Sequence, residues 1–134
     1  MPVTLTPAQE EQMLSAARAA FKNAHAPYSN FRVGSAILTD RGKMYSGCNV
    51  ENASYGLTIC AERNAIFAAV AAEGSGMRIN AVAVATERDV PCAPCGACRQ
   101  VIYEFGPEAV VLFRGQSGTE QMPITKLLPE GFRL

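Results

Sequence analysis

Apolar positions near the start of the chain recur at helical spacing: Met13, Leu14, Ala17, Ala20, Phe21 and Ala24. Thr6 stands ahead of Pro7, and Gln9 follows three residues after the threonine. That is a cap, a proline at the first helical position and a capping-box partner, so a helix opens here and Pro27 closes it. From Phe31 to Thr39 the apolar content predicts a strand, and Asp40-Arg41-Gly42-Lys43 predicts the hairpin turn that sends a second strand back from Lys43 to Val50. Cys60 to Ala72 is alanine-rich with Ile66, Phe67 and Val70 on one face, which predicts a helix. Ile79 to Thr86 is a short, nearly unbroken apolar run, the pattern of a strand covered on both faces. A helix from Cys95 to Phe105, a buried strand from Ala109 to Phe113, an edge strand from Gly118 to Pro123 and a helical turn from Thr125 to Leu128 complete the chain. A hairpin followed by two strand–helix crossovers implies an α/β fold: a mixed sheet with helices on its faces.

Composition narrows the class. The chain has 134 residues, 49% hydrophobic and 18% charged. One ordinary domain spanning 1–134 is expected, with a core of its own. Twelve basic residues balance twelve acidic ones, so the usual electrostatic footprint of a nucleic-acid binder is missing. No apolar run approaches the ~20 residues that span a bilayer. The first residues lack a basic segment followed by an apolar one, which predicts a cytoplasmic protein.

Five cysteines in such a chain make a poor disulfide framework. Cys92, Cys95 and Cys98 crowd into seven residues, and Cys60-Ala61-Glu62 opens a second predicted helix. Cys60 and Cys95 then lie at two helix N-termini, where thiolates are stabilised, with Cys98 one turn beyond Cys95 on the same face. Three sulfur ligands around zinc leave one tetrahedral position open, the layout of a catalytic site that holds water. Glu62 stands beside that position and can move its proton. Two other readings stay open on spacing alone. Cys92 and Cys95 also satisfy Pro-Cys-x-x-Cys, although Pro94 disfavours a helical turn across them. A closed structural zinc site with four thiolates, from Cys60, Cys92, Cys95 and Cys98, would have no use for Glu62.

Cys-Ala-Glu followed by Pro-Cys-x-x-Cys matches the all-cysteine signature of the zinc deaminases. Ala26-Pro27-Tyr28-Ser29-Asn30-Phe31-Arg32-Val33-Gly34, Gly47-Cys48-Asn49-Val50-Glu51-Asn52-Ala53 and Cys95-Gly96-Ala97-Cys98-Arg99-Gln100-Val101 stand in order around it. Together they closely resemble the small homotetrameric cytidine deaminases, from about Ala24 to Phe132. The resemblance implies a three-layer α/β/α fold on a mixed, mostly five-stranded sheet. It implies hydrolytic deamination of cytidine and 2′-deoxycytidine to the uridines and ammonia, a step of pyrimidine salvage. One zinc per subunit would be held by Cys60, Cys95 and Cys98. Chemistry then assigns Glu62 as the shuttle that takes a proton from the zinc-bound water and delivers it to the pyrimidine and the departing amine.

Further roles rest on the same resemblance. The backbone N–H of Ala61 helps fix the pyrimidine carbonyl. Three thiolates and Zn²⁺ carry an excess negative charge, and Arg63 offsets it by hydrogen-bonding ligand sulfur. Asn49 and Glu51 stand two apart at a strand end, so both face one way. They are assigned to the ribose 3′-OH, and the carboxylate repels a phosphate placed there. Phe31 lines the pocket. Phe132 stacks on the base in a neighbouring subunit's site, and Tyr55 lies at the same boundary, so a homotetramer completes each pocket. The expected partner is a pyrimidine nucleoside, not nucleic acid or membrane. Competing readings are a deaminase of a nucleoside-like antibiotic, a deaminase of tRNA or single-stranded DNA, and a structural-zinc binding module. Asn49, Glu51 and Phe132 as a set favour cytidine.

Overall fold

The computed structural model describes residues 3–134. Its elements are α1 (Pro7–Phe21), β1 (Val33–Thr39), β2 (Met44–Cys48), a 3-10 turn (Tyr55–Leu57), α2 (Ala61–Glu73), β3 (Ile79–Thr86), α3 (Gly96–Phe105), β4 (Val110–Gly115), β5 (Gly118–Pro123) and α4 (Ile124–Leu127). The strands form one five-stranded sheet in the order β2-β1-β3-β4-β5. Only β3 and β4 pair in parallel, with Ala81 opposite Val110; the other neighbours are antiparallel.

Strand alternation divides the core into two layers. On one side Ile37, Val82, Val84, Val111 and Phe113 pack against Ala61, Ala65, Ile66 and Ala69 of α2, Ile102 of α3 and Ile124 of α4. On the other side Ala36, Leu38, Ala81, Ala83, Val110 and Leu112 receive Met13 and Ala17 of α1. The small side chains Ala36, Ala81 and Ala83 let α1 lie close. Each fully buried Ile or Met contributes roughly 1.5–3 kcal/mol. The result is the three-layer α/β/α architecture expected from the sequence.

Two glycines set how near the helices come. A Cβ on Gly34 would stand 1.9 Å from the carbonyl oxygen of Ala17, so α1 rests directly on the β1 backbone. A Cβ on Gly47 would stand 2.5 Å from the amide nitrogen of Ala65, so α2 rests on β2 in the same way. Neither position admits a side chain without moving a helix.

The expected capping box is present. Gln9 N–H donates to Thr6 Oγ1 at 3.1 Å, and Thr6 N–H donates to Gln9 Oε1 at 2.9 Å. The helix nevertheless ends at Phe21, earlier than the apolar pattern through Ala24 implied. The backbone beyond is taken up elsewhere: His25 N–H donates to Asn49 O, and Glu51 N–H donates to His25 O. Val50 also bridges to Ile59 on its other side. Residues 49–51 are thereby held between two flanking segments just past the end of β2. The boundaries of β3 and β5 coincide with the sequence expectation, and the 3-10 turn was not anticipated.

Strand direction decides where the helices begin. β2 is antiparallel to β1, and β1 is antiparallel to β3, so β2 and β3 point the same way. Each is followed by a helix. The N-termini of α2 and α3 therefore emerge at the same end of the sheet.

Candidate metal and active site

Cys60 is the N-cap of α2 and Cys95 the N-cap of α3; both have extended backbone. Cys98 lies in the first turn of α3 and is fully buried. The Cys60 and Cys95 sulfurs are 3.6 Å apart, and those of Cys95 and Cys98 are 3.5 Å apart. All three converge within 4.8 Å of one another. Tetrahedral zinc with Zn–S bonds of about 2.3 Å separates its sulfurs by ~3.8 Å. The trio fits that ion with little movement, and soft thiolates suit zinc. Cys92 is outside the trio, although it follows Pro91 in the same loop. Its thiol is half-buried, and burial first, then the charges of Glu62 and Cys60, push it up to about 11. A closed four-thiolate site is not what the chain assembles.

The electrostatics of the trio favour one thiolate at Cys60. Hydrogen bonding from the Cys98 thiol pulls Cys60 down to about 5, with further help from Arg63 and Cys95. Cys98 is pushed upward in turn, because its proton serves Cys60 and its site is buried. Arg63 Nη2 donates to Cys60 Sγ at 3.5 Å, and the guanidinium pKa rises with that bond. The Nε of Arg63 is buried without a partner among the described residues. Two helix N-termini add positive potential around the same sulfurs.

Glu62 is 4% exposed. Burial pushes its carboxyl up to about 7, and the neighbouring Cys60 charge adds to the rise. A carboxyl that exchanges its proton near neutrality, held beside three converged thiols, has the properties of a general acid–base. Ala61, fully buried, is the first residue of α2, where backbone N–H groups lack intrahelical partners.

The second part of the site surrounds Glu51. Asn49 Oδ1 accepts from Val33 N–H at 2.9 Å, and Asn49 Nδ2 donates to Phe31 O at 2.8 Å. The asparagine thus straps the segment carrying Phe31 to the end of β2. Glu51 Oε1 accepts from the N–H groups of Tyr28 and Ser29, at 2.9 and 3.2 Å, and Oε2 accepts from Ser29 Oγ. Chiefly through the Ser29 hydroxyl, these bonds hold the Glu51 carboxyl below its ordinary range. A cavity of about 380 Å³ opens here, lined by Tyr28, Ser29, Glu51, Tyr55 and Thr58.

Two predicted residues point away from their own chain's core. Tyr55 is 75% exposed, in edge contact with Tyr28 at 5.9 Å between ring centres. Phe132 is 66% exposed, and Gln100 Nε2 of α3 donates to its carbonyl at 3.2 Å. Arg99, quoted in a motif without a role, has its partners in other segments. Its Nε donates to Pro94 O at 2.7 Å and its Nη1 to Leu127 O at 2.9 Å, so it ties the cysteine loop to the end of α4. Tyr28 and Ser29, quoted in a motif without a role, line the cavity. Their signal was present only as the distant carboxylate they enclose.

Fold and site define a class: an α/β/α protein presenting a cysteine trio and a buried carboxyl at paired helix N-termini, as a metal-dependent hydrolytic enzyme requires. Comparison with known proteins makes the assignment specific. The sequence pattern described as "Cytidine and deoxycytidylate deaminase zinc-binding region" matches residues 7–114. A cytidine deaminase of Sporosarcina psychrophila is 43% identical over 125 residues, 91% of this chain and 90% of its own. A probable cytidine deaminase of Dictyostelium discoideum is 46% identical over 119 residues, 89% of this chain and 80% of its own. The crystal structure of a cytidine deaminase from Burkholderia pseudomallei superposes with a TM-score of 0.83 at 47% identity, covering 96% of this chain and all of the other. The chain belongs to the cytidine and deoxycytidylate deaminase family.

Proposed function

We propose that the protein hydrolyses the exocyclic amine of cytidine and 2′-deoxycytidine, giving the uridines and ammonia in pyrimidine salvage. The observation that carries this reading is the buried carboxyl of Glu62, pushed up to about 7, beside Cys60, Cys95 and Cys98 in a chain of this family. The three thiols would hold one zinc ion per subunit. When bound, zinc supplies a Lewis-acid centre that lowers the pKa of water toward neutrality. Glu62 takes a proton from the water that adds to C4 of the pyrimidine, and places it on N3. A second proton, from the new C4 hydroxyl, passes through the same carboxyl to the amine. The C4–N bond then breaks, ammonia leaves and C4 becomes a carbonyl. Arg63 offsets the negative charge of the sulfurs, and the Ala61 N–H orients the pyrimidine carbonyl.

Asn49 and Glu51 hold the ribose 3′-OH, with Phe31 beside them. The ionised Glu51 disfavours a phosphate in its place, so nucleosides are preferred to nucleotides. The exposed rings of Tyr55 and Phe132 support a homotetramer in which neighbouring subunits close each pocket. Thiol ligands call for a reducing compartment, which supports the cytoplasm. Among the described residues no helix is long and apolar enough to cross a membrane.

The test is an ultraviolet absorbance assay of zinc-loaded protein with cytidine, and with CMP alongside. Consumption of cytidine but not CMP is expected. A folded, zinc-loaded protein that leaves cytidine intact would overturn the reading.

A further inference from the structure

Glu51 has an unusually full set of partners from its own chain. A carboxylate offers about four acceptor positions, two on each oxygen. Oε1 receives two backbone donors, from Tyr28 and Ser29, and is saturated. Oε2 receives the Ser29 hydroxyl. These bonds leave one acceptor position, and it belongs to the oxygen that Ser29 holds.

The hydroxyl proton of Ser29 has a fixed destination. Phe31 N–H donates to Ser29 Oγ at 3.0 Å, which occupies an acceptor position of the hydroxyl. The single O–H then serves Glu51. One side chain therefore couples two neighbours, setting the carboxylate on one side and the Phe31 backbone on the other. Asn49 Nδ2 fixes the Phe31 carbonyl, so both polar groups of that residue are anchored. Asn30 between them sits at φ +54, a left-handed backbone that asparagine tolerates. Arg88 Nη2 donates to its carbonyl at 2.9 Å, and the Arg88 guanidinium lies 5.7 Å from the centre of the Phe31 ring. The whole segment is wrapped around the carboxylate, and Ser29 and Glu51 both face the same cavity.

We propose that Ser29 is a positioning residue for sugar recognition: its hydroxyl aims the remaining lone pair of Glu51 Oε2 at one sugar hydroxyl and ties that aim to the placement of Phe31. The site then accepts one O–H donor from the sugar at Glu51, and Ser29 sets its direction without touching the reacting atoms. This inference rests on the nucleoside reading above.

Steady-state kinetics of Ser29→Ala and Ser29→Thr test it, with cytidine, 2′-deoxycytidine and 3′-deoxycytidine as substrates. Ser29→Ala should raise KM for cytidine and 2′-deoxycytidine about tenfold, with kcat within about twofold, as expected when a bond to a charged group is misdirected. With 3′-deoxycytidine the variant and the wild type should share one KM, because the donor is gone. Ser29→Thr keeps the hydroxyl and should restore cytidine KM to within about twofold of wild type. If Ser29→Ala fails to fold, Ser29→Cys, similar in size with a weak donor, is read for the same pattern. An equal KM penalty on all three substrates, no penalty at all, or a fall in kcat alone overturns the proposal. Wild-type protein inactive on cytidine would instead sink the nucleoside reading.

Discussion

Glu62 and Glu51 are the same residue type, both buried, and their surroundings drive them in opposite directions. Glu62 lies in the first turn of α2 beside sulfur, and burial lifts its carboxyl to about 7. Glu51, 8% exposed, lines an open cavity, and three donors from Tyr28 and Ser29 hold its carboxyl below the ordinary range. Burial raises a carboxyl's pKa and donors to the charged form lower it, and which of the two dominates decides what the carboxyl becomes. On the proposed function, Glu62 passes protons near neutral pH while Glu51 keeps a negative charge.

Several substitutions would break or sharpen this contrast. The largest effect is expected from Cys98→Ser, which removes the buried member of the trio. Metal analysis should show zinc lost and cytidine turnover reduced below about 1% of wild type. Glu62→Gln comes next: kcat should fall roughly 10²–10⁴-fold while bound zinc and the far-ultraviolet spectrum stay unchanged. Glu51→Gln should act differently. The amide keeps the shape but loses charge and acceptor capacity, so KM should rise about 10–100-fold with a much smaller change in kcat. If both glutamine variants lost kcat alike, the division of labour between the two carboxyls would be wrong.

A smaller effect is expected in stability against pH. The folded-state pKa of Glu51 is depressed, so its contribution is fully present above the unfolded carboxylate value and is lost as pH falls through the folded one. The thermal midpoint difference between wild type and Glu51→Gln should therefore shrink steadily from pH 6 to pH 3. A difference that grew on acidification would contradict the assignment. The smallest effect belongs to Cys92→Ser, outside the trio. Zinc content and turnover should stay within about twofold of wild type.

The parts of this architecture legible in the sequence are those carried by local pattern. The apolar run at Ile79–Thr86 and the glycine-bounded segment Gly118–Pro123 became β3 and β5 as read. Cys60, Cys95 and Cys98 were legible because few other chemistries use thiols at two helix starts, and the structure brings them together. What escaped depends on contacts between distant segments. Ser29 and Glu51 are 22 residues apart, and nothing local marks a serine as a carboxylate partner. The early end of α1 at Phe21 reflects backbone bonds from His25 to Asn49, a competition that periodicity does not register. Arg99 carried no local signal because its partners, Pro94 O and Leu127 O, are backbone atoms of other segments.

The shared direction of β2 and β3 has a consequence for how this chain tolerates change. Because both crossover helices start from one end of the sheet, the Asp40–Lys43 turn lies at the opposite end. There Asp40, Arg41 and Gly42 are exposed, and Gly42 takes the positive φ of +76 that the turn requires. Lengthening a flexible connection costs only about 0.6 kcal/mol per doubling. An inserted tag or linker at this turn is expected to act on the hairpin end, where Asp40 N–H meets Arg78 O and Arg41 pairs with Glu73, and to leave the cysteine end in place. One end of the sheet carries the chemistry, and the other is where added chain should cost least.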